Sequence, residues 1–267
     1  MINKIAIIGT GAMGLAIAGG MIKSNLIKPE HIVMSDVDFD KLQFASEKFG
    51  VTTKQNNIDA IKDADVIILA VKPNIISSAI GSFSESLKKE QIIISIAAGV
   101  TTSKIESLVS TENAVIRAMP NTPCQIGAGA TAVCRGSYVN DDDIKIAFSI
   151  FEAVGICVEV PENLMNAVTG LSGSGPAYTF MMIEAMTDAG VRMGLPRDKA
   201  QKLASQTVLG SAEMVIKGDK HPAQLKDQVT SPGGTTIAAI DTLEKNSFRS
   251  AIIEAVKAAT KRSEELG

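Results

Sequence analysis

Residues 5–14 read IAIIGTGAMG, a short apolar run that leads directly into three glycines spaced as G-x-G-x-x-G. The apolar run is typical of a buried strand, and the residues that follow favour a helix. In such a unit Gly9 permits a tight turn, Gly11 lets the backbone approach a pyrophosphate, and Gly14 lets the helix pack against the strand. The start of the helix also presents free N–H groups to an anion. The stretch predicts a dinucleotide-binding strand–loop–helix unit, and the alternative is a glycine-rich turn without a ligand.

The same alternation of strand and helix continues to about residue 160. Further strand-like runs are HIVMS (31–35), DVIILAV (65–71), QIIISIAA (91–98), NAVIRAM (113–119), GATAVCR (129–135) and GICVEV (155–160), with a weaker run at 51–53. Runs that are apolar on both faces predict a mostly parallel sheet covered by helices on each side. A helical segment at 141–154 separates the last two runs, whose direction the sequence leaves open. We therefore expect an α/β doubly wound domain of the Rossmann type over residues 1–161.

The texture changes after Pro161, where strand-like runs give way to helical periodicity. Pro196 fits the first turn of one helix and Gly218 fits its end. A stripe expected to be buried on that helix consists of Ala200, Leu203, Ala204, Thr207, Val208, Ser211, Ala212 and Val215. The sequence from Thr235 to Leu266 also predicts helical structure. We expect residues 162–267 to form an all-α domain. Apolar residues on more than one face of the stretch at 171–186 favour packing against a second subunit.

Composition limits the classes of function. The chain has 267 residues, 45% of them hydrophobic, a net charge of −3 and no basic cluster, which disfavours binding to nucleic acid or to a membrane surface. The three cysteines, Cys124, Cys134 and Cys157, have no metal-like spacing and are expected to be small buried residues of a reduced, cytoplasmic protein. No apolar run approaches the length of about 20 residues that a membrane span needs.

Other loops are expected on the same side of the sheet as the glycine loop. Asp36, after the second strand, is placed to accept from the ribose 2′-OH of NAD, although it could also be a solvated turn residue or a helix cap. Its neighbour Ser35 suits either NAD or NADP. AVKP (70–73) and AAG (97–99) leave strand ends, where ligands of such sheets bind. The stiff segment MPNTP (119–123) fits the wall of a nicotinamide pocket and an ordinary turn equally well.

Candidates for a general acid or base are scarce. His31 begins the second predicted strand and is interpreted as structural, whereas His221 precedes a proline and is interpreted as the start of a short helix. The stretch at 171–182 carries no lysine of the kind a hydroxyacid dehydrogenase needs. A substrate that arrives protonated, such as an iminium, needs a hydride and orientation rather than a strong acid.

Residues 230–236, TSPGGTT, fit such a substrate. If a helix begins near Thr235, the N–H groups of Gly234, Thr235 and Thr236 are helix-start donors suited to a carboxylate. The hydroxyls of Ser231 and Thr236 add polar contacts, one of them to an imine nitrogen. Alternatively, Ser231 or Thr235 only caps the helix.

Motifs along the whole chain resemble the pyrroline-5-carboxylate reductase family. They are IGTGAMG, AVKP, AAGVT, RAMPNTP, GLSGSGPAY and LKDQVTSPGGTTIAAI, of which the last is the most specific. The resemblance implies NAD(P)H-dependent reduction of Δ1-pyrroline-5-carboxylate to L-proline. It also implies a Rossmann domain (1–161) and a helical dimerisation and substrate-binding domain (162–267), with dimers that often assemble into larger rings such as a decamer.

The resemblance also implies roles for individual residues. Ser231, Gly234 and Thr235 match positions that bind the substrate carboxylate, and Thr236 matches the threonine beside the imine nitrogen, as hydrogen-bond partner or proton donor. The implied cofactor contacts, together with those of the glycine loop, are Gly9, Thr10, Gly11, Ala12, Met13, Gly14, Ser35, Asp36, Asn57, Ala70, Val71, Lys72, Pro73, Ala97, Ala98 and Gly99.

Asp36 departs from the pattern of the many family members that use NADPH and carry serine, threonine or arginine in this turn. The carboxylate favours NADH and the family favours NADPH, so both cofactors stay open. Two rivals are a β-hydroxyacid or imine reductase of similar layout and a non-catalytic NAD(P)-binding regulator.

Overall fold

A computed structural model describes residues 2–266, and these residues contain one eight-stranded sheet. Its strands are β1 (Ile5–Ile8), β2 (Ile32–Ser35), β3 (Thr52–Lys54), β4 (Val66–Leu69), β5 (Ile92–Ser95), β6 (Val115–Met119), β7 (Gly129–Arg135) and β8 (Gly155–Glu159). Their order is β3-β2-β1-β4-β5-β6-β7-β8. Strands β1 to β6 are parallel, β7 is antiparallel to β6, and β8 is parallel to β7, which gives the direction that the sequence leaves open. Each strand-like run of the sequence forms a strand, so the predicted doubly wound sheet is confirmed.

The sheet carries helices on both faces. The helices that precede residue 175 are α1 (Ala12–Lys23), α2 (Phe39–Phe49), α3 (Asn57–Ile61), α4 (Ile76–Gly81), α5 (Thr102–Glu106), α6 (Asp141–Glu152) and α7 (Met165–Val168). Alternate residues of β1 enter different cores: Ile5 and Ile7 pack on the side of α1 and α6, whereas Ala6 and Ile8 pack on the side of α3 and α4. Burial on both faces explains why the strands are continuous apolar runs rather than alternating ones.

The chain forms two compact units. One contains the residues up to Ser174 and those from Ala258 on, and the other is Gly175–Lys257. The expected domain boundary between residues 161 and 162 stays a prediction, because a compact unit of one chain and a functional domain need not end at the same residue.

The remaining helices are α8 (Gly175–Arg192), α9 (Arg197–Lys217), α10 (Pro222–Gln228), α11 (Thr235–Lys245) and α12 (Phe248–Leu266). The segment from Thr235 onwards, whose sequence predicts helix, thus forms two helices. They are separated because Asn246 donates its side-chain amide to the Thr242 carbonyl at 2.8 Å and Ser247 has a left-handed φ of 60°. A side chain that competes for backbone groups in this way ends a helix. None of the helices that the structure describes is long and apolar enough to cross a membrane.

The stripe expected to be buried on α9 is mostly exposed within the chain. Ala200 and Ala204 are 3% and 5% exposed, but Leu203 is 59% exposed. Helix α8 packs closely against the start of α9, where a Cβ on Gly190 would lie 3.0 Å from that of Ala200. The helices of the second unit leave the rest of the stripe uncovered. Pro196 lies just before the first residue of α9 rather than in its first turn, and Gly218 follows its last residue as expected.

Candidate active site

The glycine loop between β1 and α1 has the close contacts that its spacing predicts. Gly9 has a φ of +105°, and a Cβ there would lie 2.6 Å from the Ala70 carbonyl oxygen. A Cβ on Gly14 would lie 2.4 Å from the Gly9 carbonyl oxygen. At Gly11, by contrast, an added Cβ would meet no atom within 4 Å, and no side chain caps the helix that begins after it. The loop is therefore tight toward the protein and open toward solvent, which fits a pyrophosphate at the helix start.

A pocket of about 490 Å³ opens beside this loop. It lies at the carboxyl ends of β1 and β4, where the order of the strands reverses, which is the usual ligand position in such sheets. Its lining consists of Ile8, Gly9, Gly11, Ser35, Asp36, Val37, Lys41, Asn57, Ala70, Val71, Lys72, Ile75, Ser78, Ala79 and Ser82. Eight of the predicted cofactor residues are thus brought together: Gly9, Gly11, Ser35, Asp36, Asn57, Ala70, Val71 and Lys72.

Asp36 braces two loops in addition to lining this pocket. Its Oδ2 accepts from the Thr10 N–H at 2.8 Å, and its Oδ1 accepts from the Asp38 N–H at 3.0 Å. The helix-cap alternative falls to Asp38, whose side chain accepts from the first N–H groups of α2. Because a carboxylate offers about four acceptor positions, Asp36 keeps two for a ribose hydroxyl.

Ser35 and Asn57 belong to a hydrogen-bonded chain under the same pocket. The Ser35 hydroxyl donates to Asn57 Oδ1 at 2.7 Å, and Asn57 Nδ2 donates to Ser82 Oγ at 3.0 Å. Ser35 is fully buried. The chain fixes the orientation of the Asn57 amide at the floor of the pocket.

A second pocket of about 860 Å³ adjoins the first, and Lys72 lines both. Pro73 and residues 98–101 contribute to its wall, so the AVKP and AAG loops meet there as predicted. The remaining predicted residues take other positions. Thr10 and Ala97 are buried, Met13 packs against the core, and Ala12 lines a separate pocket beside Phe49.

Asn121 of the MPNTP segment ties three parts of the first unit together. Its side chain donates to the Ser172 carbonyl at 3.0 Å and accepts from the Ala130 N–H at 2.9 Å. Ser172 lies in a π-helical turn at Thr169–Gly173, and a Cβ on Gly173 would lie 2.7 Å from Met119 Cε. The stiff segment therefore holds the LSGSG turn in place, and its role at a nicotinamide pocket stays a prediction.

The TSPGGTT segment begins α11 in the second unit. Its N-cap is Gly234, whose backbone is extended (φ −79°, ψ 174°), and no side chain caps the helix, so neither Ser231 nor Thr235 does so. Among the described residues, no acceptor pairs with the N–H groups of Thr235 and Thr236. The Gly234 N–H was expected to be free, but it donates to the Ser231 carbonyl at 3.1 Å and closes a turn.

The Ser231 hydroxyl lies directly beside this helix start. A Cβ on Gly234 would be only 2.2 Å from Ser231 Oγ. Ser231 and Thr235 are exposed and Thr236 is half-buried. Two N–H donors and adjacent hydroxyls at the positive end of a helix form an arrangement suited to a small carboxylate.

The two histidines have structural positions. His221 accepts from the Ala223 N–H at 3.2 Å and starts α10, which confirms that interpretation. His31 is the last residue of the 3₁₀ turn Pro29–His31, and β2 begins at Ile32, so His31 precedes the strand rather than beginning it.

The cysteines are poor nucleophiles at neutral pH. Burial raises the pKa of Cys124, and it raises those of Cys134 and Cys157 to about 12. Cys124 and Cys134 are buried as expected, but Cys157 is only half-buried, because it lies on the edge strand β8.

Sequence reasoning missed Lys41, which lines the pocket beside Asp36. Its ammonium lies 3.3 Å from the carboxylate of Asp38, the N-cap residue of α2. The helix cap at Asp38 was the available signal, since it directs the first turn of α2 toward the pocket. Ser78 within α4 and Ser82 at its C-cap were also missed, because nothing in the local sequence distinguishes them from ordinary helix residues.

The sheet order, the glycine loop and the acid after β2 define a dinucleotide-binding protein of the Rossmann class, joined to a helical segment. Residues 162–266 match the family model described as "Pyrroline-5-carboxylate reductase dimerisation", and residues 4–99 match "NADP oxidoreductase coenzyme F420-dependent". The chain belongs to the pyrroline-5-carboxylate reductase family.

Two kinds of relative show this membership. A pyrroline-5-carboxylate reductase of Synechocystis is 48% identical over 99% of this chain and 98% of its own length. A solved pyrroline-5-carboxylate reductase from Coxiella burnetii is 40% identical, with a TM-score of 0.94 over 100% of this chain and 99% of the other. The Plasmodium falciparum enzyme, solved with NADP bound, is 37% identical, with a TM-score of 0.89 over 99% and 98% of the two chains. These findings confirm the predicted family.

Proposed function

We propose that the protein reduces Δ1-pyrroline-5-carboxylate to L-proline with NADH or NADPH, as the last step of proline biosynthesis. The observation that carries the proposal is the uncapped start of α11, where among the described residues the N–H groups of Thr235 and Thr236 have no acceptor and the Ser231 hydroxyl lies beside them. The names of the relatives support the same reaction.

In the proposed mechanism, the segment from Ser231 to Thr236 binds the substrate carboxylate. Ser231 and the N–H groups of Thr235 and Thr236 supply hydrogen bonds, and the helix dipole adds a favourable potential. Gly234 supplies the extended backbone that leaves these donors exposed. The Thr236 hydroxyl orients the imine nitrogen or gives it a proton.

The residues present fit a nicotinamide dinucleotide. The glycine loop would hold the pyrophosphate, Asp36 and Asn57 would lie at the adenosine end, and residues 70–73 and 97–99 would lie at the nicotinamide end. The bound cofactor would supply a hydride to the imine carbon while the nitrogen gains a proton, so that the C=N double bond becomes a C–N single bond with one new C–H and one new N–H bond. Holding the two reactants together would account for much of the acceleration.

The direct test is the loss of absorbance at 340 nm with pyrroline-5-carboxylate, run in parallel with NADH and NADPH. Gly11→Ala tests cofactor binding selectively. The fold has room for the added methyl group, whereas that group would clash with a bound pyrophosphate. We expect the KM for the cofactor to rise at least about tenfold in this variant. The matched control Gly81→Ala, which also meets no atom within 4 Å, should leave it unchanged.

Two further measurements separate the rivals. Oxidation of a 3-hydroxy acid in place of imine reduction would favour the hydroxyacid enzyme. Quenching of NADH fluorescence without turnover on either substrate would favour the regulator.

We propose that the protein acts in the cytoplasm as a homodimer and that dimers assemble into a ring such as a decamer. The dimerisation model over residues 162–266 and the uncovered stripe of α9 support the homodimer. The ring size follows only from the family resemblance.

A further inference from the structure

Three side chains that the proposed reaction does not use form a cluster beside α5. Glu162 Oε1 accepts from the Thr102 N–H, and Glu162 Oε2 accepts from the Thr102 hydroxyl, both at 2.7 Å. Arg117 Nη1 lies 3.4 Å from Glu162 Oε1. Thr102 and Arg117 are only 5% and 4% exposed. One carboxylate thus serves two donors of the same residue and a buried cation.

The cluster satisfies two groups that need a partner: the first N–H of α5 and a buried cation of β6. Thr102 is the first residue of α5, so its N–H has no partner within the helix. With five residues, α5 has little stability of its own. Arg117 lies within β6, where a buried cation requires an opposite charge. Glu162 satisfies both, although it is 60 residues from Thr102 along the chain.

What Thr102 anchors is the loop between β5 and α5. At its near end the Ala97 N–H donates to the Ser95 hydroxyl at 3.3 Å, and at its far end Thr102 is held by Glu162. Within the loop, the one described backbone hydrogen bond is long, from the Val100 N–H to the Ala97 carbonyl at 3.5 Å. Gly99 has a left-handed φ of +77°.

This loop has few internal bonds and therefore takes its position from its two ends. Residues 98–101 line the pocket of about 860 Å³ that they share with Lys72 and Pro73. A shift of Thr102 would move the pocket wall at which the nicotinamide is expected.

We propose that Glu162 is a positioning residue for the cofactor: by clamping Thr102 it fixes the loop at 97–101 against the nicotinamide end of the site. The inference rests on the proposed function in assigning this loop to the nicotinamide. Glu162 itself contacts neither substrate nor cofactor in this account.

The test compares Glu162→Gln, which releases the first residue of α5, with a matched control at the last residue of α5. Glu106, the last residue of α5, clamps Ser137 in the same way, accepting from its N–H at 2.6 Å and from its hydroxyl at 2.9 Å. That clamp lies outside the pocket linings described above. Glu106→Gln therefore removes a clamp of the same chemistry at the opposite end of α5, away from the cofactor loop.

The readouts are the Kd for NADH from fluorescence titration without imine, the KM values for cofactor and imine, and amide exchange at Thr102. We expect Glu162→Gln to raise the NADH Kd and cofactor KM about tenfold, as for the loss of one charge-assisted hydrogen bond. The imine KM should change less than about twofold, and the Thr102 amide should exchange faster. Glu106→Gln should leave the Kd at the wild-type value.

Thr102→Val is the second variant, since it keeps the shape of the side chain and removes only the hydroxyl. It should raise the NADH Kd about threefold even if Glu162→Gln fails to fold. An unchanged NADH Kd in both variants, with or without a lower Tm, overturns the inference. A wild-type protein that binds NADH but does not reduce the imine refutes the proposed substrate instead and leaves the comparison of Kd values intact.

Discussion

At the scale of single residues, Asp36 and Lys41 place opposite charges at one pocket. The Asp36 carboxylate accepts from two backbone N–H groups and keeps acceptor positions for a ribose hydroxyl. Lys41 lines the same pocket and carries the positive charge that a 2′-phosphate needs. We therefore expect the choice between NADH and NADPH to depend on these two residues, one of which the sequence pattern did not single out.

Removing the Asp36 charge and removing the Lys41 charge should change the cofactor preference in opposite directions. Asp36→Asn keeps an oxygen for the Thr10 N–H but removes the negative charge, so the ratio of kcat/KM for NADPH over NADH should rise about tenfold. Lys41→Ala should lower that ratio by a similar factor. Lys48→Ala, on the same helix but outside this pocket, is the control and should leave the ratio unchanged. A ratio insensitive to Asp36→Asn would show that the carboxylate is only a brace for the loops.

Thr236 is the residue assigned to the imine nitrogen. Thr236→Ala should lower kcat about a hundredfold if the hydroxyl donates the proton. Thr242→Ala lies on the exposed part of the same helix and is the control, with kcat expected at the wild-type value. Full kcat in Thr236→Ala would remove Thr236 from the chemistry and leave it at most a binding role.

At the scale of elements, the start of α11 depends on Gly234. An alanine there suits the extended φ of −79°, but its Cβ would lie 2.2 Å from Ser231 Oγ and would displace that hydroxyl. Gly234→Ala should therefore raise the imine KM about tenfold, as for a lost hydrogen bond to a charged group, and leave the NADH Kd unchanged. Ser231→Ala should have the same effect, because it removes the same hydroxyl. Wild-type imine KM in both variants would contradict a carboxylate site at this helix start.

At the scale of the whole molecule, the uncovered stripe of α9 requires a partner. Leu203 is 59% exposed and Val215 is 40% exposed, which is costly for a single chain in water. Light scattering should therefore give a multiple of the chain mass of 28.0 kDa. Leu203→Glu should shift the protein toward the monomer, whereas Lys202→Glu on the same helix should not. A wild-type protein that stays monomeric at micromolar concentration would contradict the proposed dimer.

The sequence predicts the sheet well because burial on both faces marks its strands. Runs such as IAIIG and DVIILAV are unmistakable, and the glycine spacing predicts the contacts at Gly9 and Gly14. The direction of β7 could not be predicted, because the helix between the last two runs does not determine how β7 pairs with β6.

The candidate site was predictable where the chemistry is local. The TSPGGTT segment shows its helix start in the sequence, although the turn that occupies the Gly234 N–H does not. The Glu162 clamp could not be found from sequence, because its partners Thr102 and Arg117 are 60 and 45 positions away. The buried stripe was wrong for a single chain, since helical periodicity identifies an apolar face without saying what covers it.

The central claim is that the protein moves a hydride from a nicotinamide to the imine carbon of pyrroline-5-carboxylate. The most direct measurement is turnover with cofactor carrying deuterium at the transferable C4 position, followed by mass spectrometry and NMR of the product. The account predicts proline with one deuterium on the ring carbon that was double-bonded to nitrogen. Proline without deuterium, or no proline from a folded protein that binds NADH, would contradict it.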